Sequence, residues 1–169
     1  MIEIKNIEKQ AKAAANRFNP EGRFPFPFEN ILEAEAGLRI SETDELPPGT
    51  VSIFGHLDDF YIFVDKNRSE EKKFFAIAHS LGHYFLHKEE VEKSGGSIVD
   101  RDPGEAFLCE EAWVMEGEAN VFAGGLIMPD HLVRQKYWRF KENKIGSCAR
   151  FFHVPPFEME MWLKYLKLM

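Results

Sequence analysis

With 169 residues and 44% hydrophobic content, the chain is long enough to bury one sizeable core but too short for two comfortable domains. Its formal net charge of -7 would repel a phosphate backbone, which argues against direct nucleic-acid binding and favours a peptide or protein partner. No stretch approaches the roughly twenty consecutive apolar residues that a membrane span needs, and the first residues show no secretion signal. We therefore expect a single cytoplasmic domain over residues 1–169, with Cys109 and Cys148 as reduced thiols.

The first part of the chain predicts a helix followed by short extended elements. Apolar side chains recur at helical spacing from Ile4 to Phe18, and Pro25 and Pro27 prevent the helix from continuing, so residues 1–24 are interpreted as an N-terminal helix and linker. Composition then predicts, in chain order, a short helix at 30–36, an edge strand at 38–40, a turn at 47–49, and a hairpin with strands at 50–54 and 60–64.

A long helix is predicted from an N-cap at Ser69 to about Glu90. Its middle is apolar on nearly every side, so it should cross the interior, and a polar residue there needs a partner. Beyond it the pattern predicts a mobile loop at 94–104, a second long helix at 110–127, and helices at 131–140 and 156–168 separated by breaks at Gly146 and Pro155.

Two histidines interrupt the apolar middle of the first long helix. His79 and His83 are four residues apart, so they project from one face at the spacing that lets two imidazoles reach one zinc ion. A single buried histidine usually just satisfies a carbonyl, but two on one apolar face each need a hydrogen-bond or metal partner. The pair therefore predicts a metal site, with a purely structural pair as the alternative.

The second long helix offers the third ligand that such a site requires. Glu116 and Glu118 point about 200° apart, so only one can face the metal. Glu116 shares a face with Asn120, whose amide could accept the far N–H of a metal-bound imidazole and fix its tautomer. We predict Glu116 as the ligand and Asn120 as its supporting neighbour. Glu118 is the alternative ligand, unless it merely solvates the helix surface.

Three segments together resemble the ImmA/IrrE family of metallopeptidases. They read AHSLGHYFLH at 78–87, EGEANVFA at 116–123 and LIMP at 126–129, where members of the family read approximately AHELGHxxLH, then ExEAxxFAxxLLMP. The resemblance extends over roughly residues 25 to 168. It implies an α+β, compact zincin-like (gluzincin) fold in which a small antiparallel sheet lies beside a buried metal-binding helix, with further helices. It also implies one zinc ion and a protein partner such as a helix-turn-helix repressor.

The chain departs from that family pattern at Ser80. In such peptidases the residue after the first histidine is a glutamate, which takes a proton from the attacking water and later delivers it to the leaving amine. A serine hydroxyl is a poor base near neutral pH, and the loss of general acid–base assistance typically costs about 10²–10⁴ in rate. Ser80 therefore occupies the catalytic position, and we expect it to be non-functional as a base.

Three functions stay open on the sequence alone. The first is a pseudopeptidase that keeps the cleft and its metal to bind a partner, the second is an active or weakly active zinc endopeptidase, and the third is a metal-free interaction module. His87 lies about 12 Å of helix rise from His79, too far for both to bind one ion on a straight helix, so we interpret it as a supporting or packing residue.

Overall fold

Eight helices and four strands make up the part of the chain that the structure, a computed structural model, describes: residues 3–46, 50–56, 59–93, 97–101 and 112–169. In chain order they are α1 (Ile4–Phe18), α2 (Glu29–Ala34), β1 (Leu38–Thr43), β2 (Thr50–His56), β3 (Asp59–Asp65), α3 (Glu70–Leu86), α4 (Lys88–Lys93), β4 (Ser97–Arg101), α5 (Ala112–Ile127), α6 (Asp130–Arg139), α7 (Lys144–Phe152) and α8 (Pro156–Tyr165). None of the helices in these ranges is long and apolar enough to cross a membrane.

The four strands form one sheet in the order β1-β3-β2-β4. Alternate residues of β3 are buried, among them Phe60 and Ile62 at 0% exposure, while Tyr61 between them is 37% exposed. In β2, Ile53 pairs with Ile62 and is also buried. The sheet therefore has one apolar face, and α3 packs against β2 and β3.

Helix α3 lies between the sheet and α5. The two helices approach closely at Gly82, where an added Cβ would lie 2.8 Å from both the Cα and the carbonyl oxygen of Ala119. A glycine is needed there because the opposing atoms are backbone and cannot move aside. This close approach sets the spacing of the two helices that carry the predicted ligands.

Helix α1 packs against α5. Ile7 and Ala11 of α1 are fully buried, and Ala11 lies against Gly125, where an added Cβ would come within 2.8 Å of the Cβ of Ala11. Helix α5 is thus covered by α3 and by α1, which agrees with its largely apolar composition.

The α+β class, the small sheet beside a buried helix and the predicted hairpin are confirmed by this architecture. The sheet is mixed rather than wholly antiparallel, because β1 pairs with β3 in parallel, with Leu38 opposite Phe60, while β2 pairs antiparallel with both β3 and β4. The predicted edge strand at 38–40 does lie at the edge of the sheet, and it extends to Thr43. The predicted turn at 47–49 lies outside the described residues.

The prediction of a mobile loop at 94–104 is wrong for residues 97–101. These form β4, and Ile98 pairs with Ile53 of β2. Only Ile98 and Val99 favour a strand in this segment, so the pairing comes from the free edge of β2 rather than from local composition. The flanking residues 94–96 and 102–104 lie outside the described part of the chain.

The helices differ from the sequence prediction in their ends and in their number. Helix α3 begins after Ser69, whose side chain accepts a hydrogen bond from the backbone N–H of Lys72, but it ends at Leu86 because His87 leaves helical geometry, with φ -128° and ψ 29°. A separate α4 follows. Helix α7 was not predicted, and Gly146, read as a break, lies in its first turn, where its N–H donates to the Asn143 cap.

Candidate metal centre

Three polar residues lie in the buried middle of α3. His79, Ser80 and His83 are 0%, 2% and 1% exposed. Their burial follows from the position of α3 between the sheet and α5, since nearly every side of the helix meets another element. Both imidazoles are removed from water, so their nitrogens depend on partners inside the protein.

Those partners come from α5. Oε2 of Glu116 lies 2.9 Å from Nε2 of His79 and 3.3 Å from Nε2 of His83, and the two Nε2 atoms are 3.1 Å apart. All the potential ligand atoms of this group lie within 4.8 Å of one another. The structure therefore brings together His79, His83 and Glu116, the three residues that the sequence predicts as ligands.

The electrostatics of this group favour a positive charge at its centre. Burial alone would raise the pKa of Glu116, but the two imidazoles beside it outweigh that effect and hold its pKa well below the usual range, so the side chain is a carboxylate. Burial lowers the pKa of His83 to about 4, partly offset by Glu116, so this imidazole is neutral near neutral pH. A carboxylate and a neutral imidazole that face the same point therefore suit a cation placed between them.

Asn120 contacts the opposite side of the His79 ring. Its Oδ1 lies 2.9 Å from Nδ1 of His79, and Asn120 is 4% exposed. A carbonyl oxygen can only accept, so Nδ1 of His79 carries the proton and Nε2 presents a lone pair towards Glu116. The sequence predicted a contact between Asn120 and one of the two imidazoles; this one, with His79, leaves the ring in the tautomer that a metal ligand needs.

Glu118 lies away from the cluster. Its Oε2 is 2.9 Å from Nε2 of His87, and Glu118 is 7% exposed, so it neither joins the ligand group nor solvates a helix surface. His87 in turn places Nδ1 3.2 Å from Nδ1 of His83. Sequence reasoning gave His87 no partner, although a third histidine at the four-residue spacing was a signal that the row of imidazoles continues.

Two further histidines lie elsewhere. His131 is exposed at the start of α6, and His153 follows α7 with a positive φ of 58° and packs edge-on against Phe74. Within the described ranges, His79, His83 and Glu116 form the one group of three His, Cys, Asp or Glu residues with this convergence. These two nitrogens and one carboxylate oxygen could hold a metal ion.

The fold agrees with what comparison with known proteins shows. The family model described as the IrrE N-terminal-like domain matches residues 35–164, and the chain belongs to this ImmA/IrrE family. It is similar to the metallopeptidase ImmA of Bacillus subtilis (strain 168), with 28% identity over 104 residues, which are 59% of this chain and 53% of that protein.

A solved structure supports the fold. The chain superposes on a Mycobacterium tuberculosis transcriptional regulator with a TM-score of 0.55 and 16% identity, covering 94% of this chain and 51% of that one. The chain thus spans about half the length of each of these two proteins.

Proposed function

We propose that the chain is a zinc-binding protein of the ImmA/IrrE metallopeptidase type whose peptidase activity is impaired by Ser80, and that it binds a protein partner such as a helix-turn-helix transcriptional repressor. The observation that carries the proposal is the combination of a converged His79, His83 and Glu116 group with a serine directly after His79. The family membership supports the same interpretation.

Zinc is the metal that best fits the donor set. Two imidazole nitrogens and one carboxylate oxygen are the protein ligands of one class of catalytic zinc sites, which leave the fourth position for water or substrate. His79 and His83 would hold the ion from α3 and Glu116 from α5, while Asn120 orients His79. When bound, zinc would supply Lewis-acid polarisation of a substrate carbonyl oxygen.

The chain lacks the glutamate that would accept and deliver protons in such a peptidase, because position 80 is a serine. Peptide hydrolysis requires a group that accepts a proton from water and returns it to the leaving amine. The Ser80 side chain is two heavy atoms shorter along its length than glutamate and has no carboxylate, so it fills that role poorly. We therefore propose a cleft that retains binding while hydrolysis is slower by about 10²–10⁴.

The protein partner is inferred from charge and family. A net charge of -7 disfavours nucleic acid, and the two relatives are named a metallopeptidase and a transcriptional regulator. Titration calorimetry of purified helix-turn-helix repressors from the same genome against the native chain should identify one that binds. Uniform absence of binding across that set would contradict this part of the proposal.

Metal content tests the ligand assignment. The native chain, purified without chelator or immobilised metal, should contain one zinc ion per molecule by atomic emission. His79→Ala and Glu116→Gln should lose it, while His131→Ala, a change at an exposed histidine, should retain it. A native chain that takes up no zinc would instead support the metal-free interaction module.

A comparison at position 80 tests the catalytic part. The native chain and Ser80→Glu, both loaded with zinc, are incubated with a peptide library prepared from a digested bacterial proteome, and new termini are counted by mass spectrometry. We expect cleavage near background for the native chain and a rate about 10²-fold or more higher for Ser80→Glu, abolished again by adding His79→Ala. Native cleavage at ordinary enzyme rates that His79→Ala abolishes would make the chain an active endopeptidase.

A further inference from the structure

Behind His83 lies a second row of hydrogen bonds that ends on a carboxylate. Nδ1 of His83 is 3.2 Å from Nδ1 of His87, and Nε2 of His87 is 2.9 Å from Oε2 of Glu118. The three residues are 1%, 3% and 7% exposed. The row is therefore enclosed by protein from the carboxylate to the ligand.

The positions of the protons follow from the chemistry of each group. A carboxylate oxygen accepts a hydrogen bond, so Nε2 of His87 carries a proton and its N–H donates to Oε2 of Glu118. With its proton on Nε2, His87 has a lone pair on Nδ1, which accepts from Nδ1–H of His83. With its proton on Nδ1, His83 presents the lone pair of Nε2 towards His79 and Glu116.

The opposite arrangement would oppose metal binding. If His83 carried its proton on Nε2, that N–H would point into the space between His79 and Glu116, where the Nε2 atoms are only 3.1 Å apart. A histidine ligand binds through a deprotonated nitrogen, and the hydrogen bond at its other nitrogen decides which one that is. Asn120 performs this task for His79, but it has no contact with His83 among the described hydrogen bonds.

We infer that His87 and Glu118 are positioning residues for His83: together they fix its tautomer and its ring orientation so that Nε2 is available to a metal ion. This inference rests on the proposed zinc site. Each of the two ligands on α3 then has its own supporting residue on α5. Asn120 contacts His79 directly, and Glu118 acts on His83 through His87.

The test uses two substitutions of His87 that separate hydrogen bonding from packing. His87→Phe preserves the ring volume and removes the acceptor, whereas His87→Asn leaves a smaller side chain whose Oδ1 can replace Nδ1 as acceptor. A positioning role predicts that Phe weakens zinc binding by about 10–100-fold while Asn stays within a few-fold of native. A packing role predicts the reverse order, because Asn leaves a cavity that Phe fills.

A second readout does not depend on metal. Long-range ¹H–¹⁵N correlation spectra of the metal-free native chain at pH 7.5 report which nitrogen of each histidine carries the proton. We expect His83 as the Nδ1–H tautomer in the native chain and in His87→Asn, and a shift towards Nε2–H in His87→Phe. Glu118→Gln, whose amide can either accept from or donate to His87, should give a mixture.

Zinc affinity is measured by competition with a chromophoric chelator, and circular dichroism verifies that each variant is folded. His131→Phe, the same change at an exposed histidine, is the matched control and should leave both readouts unchanged. An Nε2–H tautomer of His83 in the native chain, or equal zinc affinity in His87→Phe and native protein, would overturn the inference. A native chain without zinc affinity would overturn the proposed function, while the tautomer of His83 would still decide the role of His87 and Glu118.

Discussion

Oδ1 of Asn120 lies 2.9 Å from Nδ1 of His79, across the ring from the nitrogen that faces Glu116. Both Asn120 and Glu116 are on α5, one helical turn apart, so a single helix contacts the same imidazole at both of its nitrogens. The orientation of His79 is thus set by α5 as a whole.

Asn120→Ala should weaken zinc binding by about 10–100-fold, because Nδ1 of His79 loses its acceptor and the ring is free to take the other tautomer. Asn120→Asp keeps an acceptor oxygen and should remain within a few-fold of native. Asn16→Ala, on the exposed side of α1, controls for the loss of an amide. The measurement is chelator competition, and an unchanged zinc affinity in Asn120→Ala would remove this role.

Acid should destabilise the metal-free protein between pH 6.5 and about 4. Burial lowers the pKa of His83 from 6.5 to about 4, so in that window the unfolded chain binds a proton that the folded chain excludes. Stability from this group is complete above pH 6.5 and is lost as the pH falls. Urea unfolding at pH 7.5 and 5.0 should differ by about 2 kcal/mol from this source.

The variant His83→Gln removes the titrating group and should reduce the difference between the two pH values. His131→Gln, at an exposed position, should leave it as large as in the native chain. An equal pH dependence in His83→Gln and native protein would show that other groups control acid stability.

Gly82→Ala should destabilise the protein and weaken the metal site. The new Cβ would lie 2.8 Å from backbone atoms of Ala119, so α3 and α5 must separate, at a cost of about 1–3 kcal/mol. Gly117→Ala is the matched control, since nothing lies within 4 Å of its added Cβ and alanine favours a helix by up to about 1 kcal/mol. Urea unfolding should therefore give changes of opposite sign, and a Gly82→Ala variant as stable as native would refute the close approach.

The parts of the site that the sequence could predict are those encoded by local spacing. The four-residue separation of His79 and His83 fixes a shared helix face, and the same rule links Glu116 to Asn120. The Ser69 cap and the hairpin strands can likewise be predicted from short stretches of sequence. Because helix and hairpin geometry depend on neighbouring residues, these features required no knowledge of the rest of the fold.

The features that the sequence did not predict depend on contacts between residues that are far apart in the chain. Ile98 pairs with Ile53, and Glu118 meets His87, across 45 and 31 positions of sequence that carry no local signal for either contact. Helix α7 is a different case, because Ile145, Cys148, Ala149 and Phe152 already follow a helical period. The prediction failed there because glycine disfavours a helix, whereas Gly146 lies in the first turn and donates its N–H to the Asn143 cap.

The support of α5 reaches beyond the region by which the family is recognised. That match begins at residue 35 and ends at 164, yet Ala11 of α1 lies against Gly125 of α5, and Tyr165 donates a 2.6 Å hydrogen bond to Glu8. A chain shortened to the matched region would retain all three ligand candidates, but the side of α5, the helix that carries Glu116, that α1 covers would be open to water. The region that identifies the family and the region that supports the site therefore have different boundaries. Only the chain that includes α1 keeps the contacts on the side of α5, the helix that carries Glu116, that faces α1.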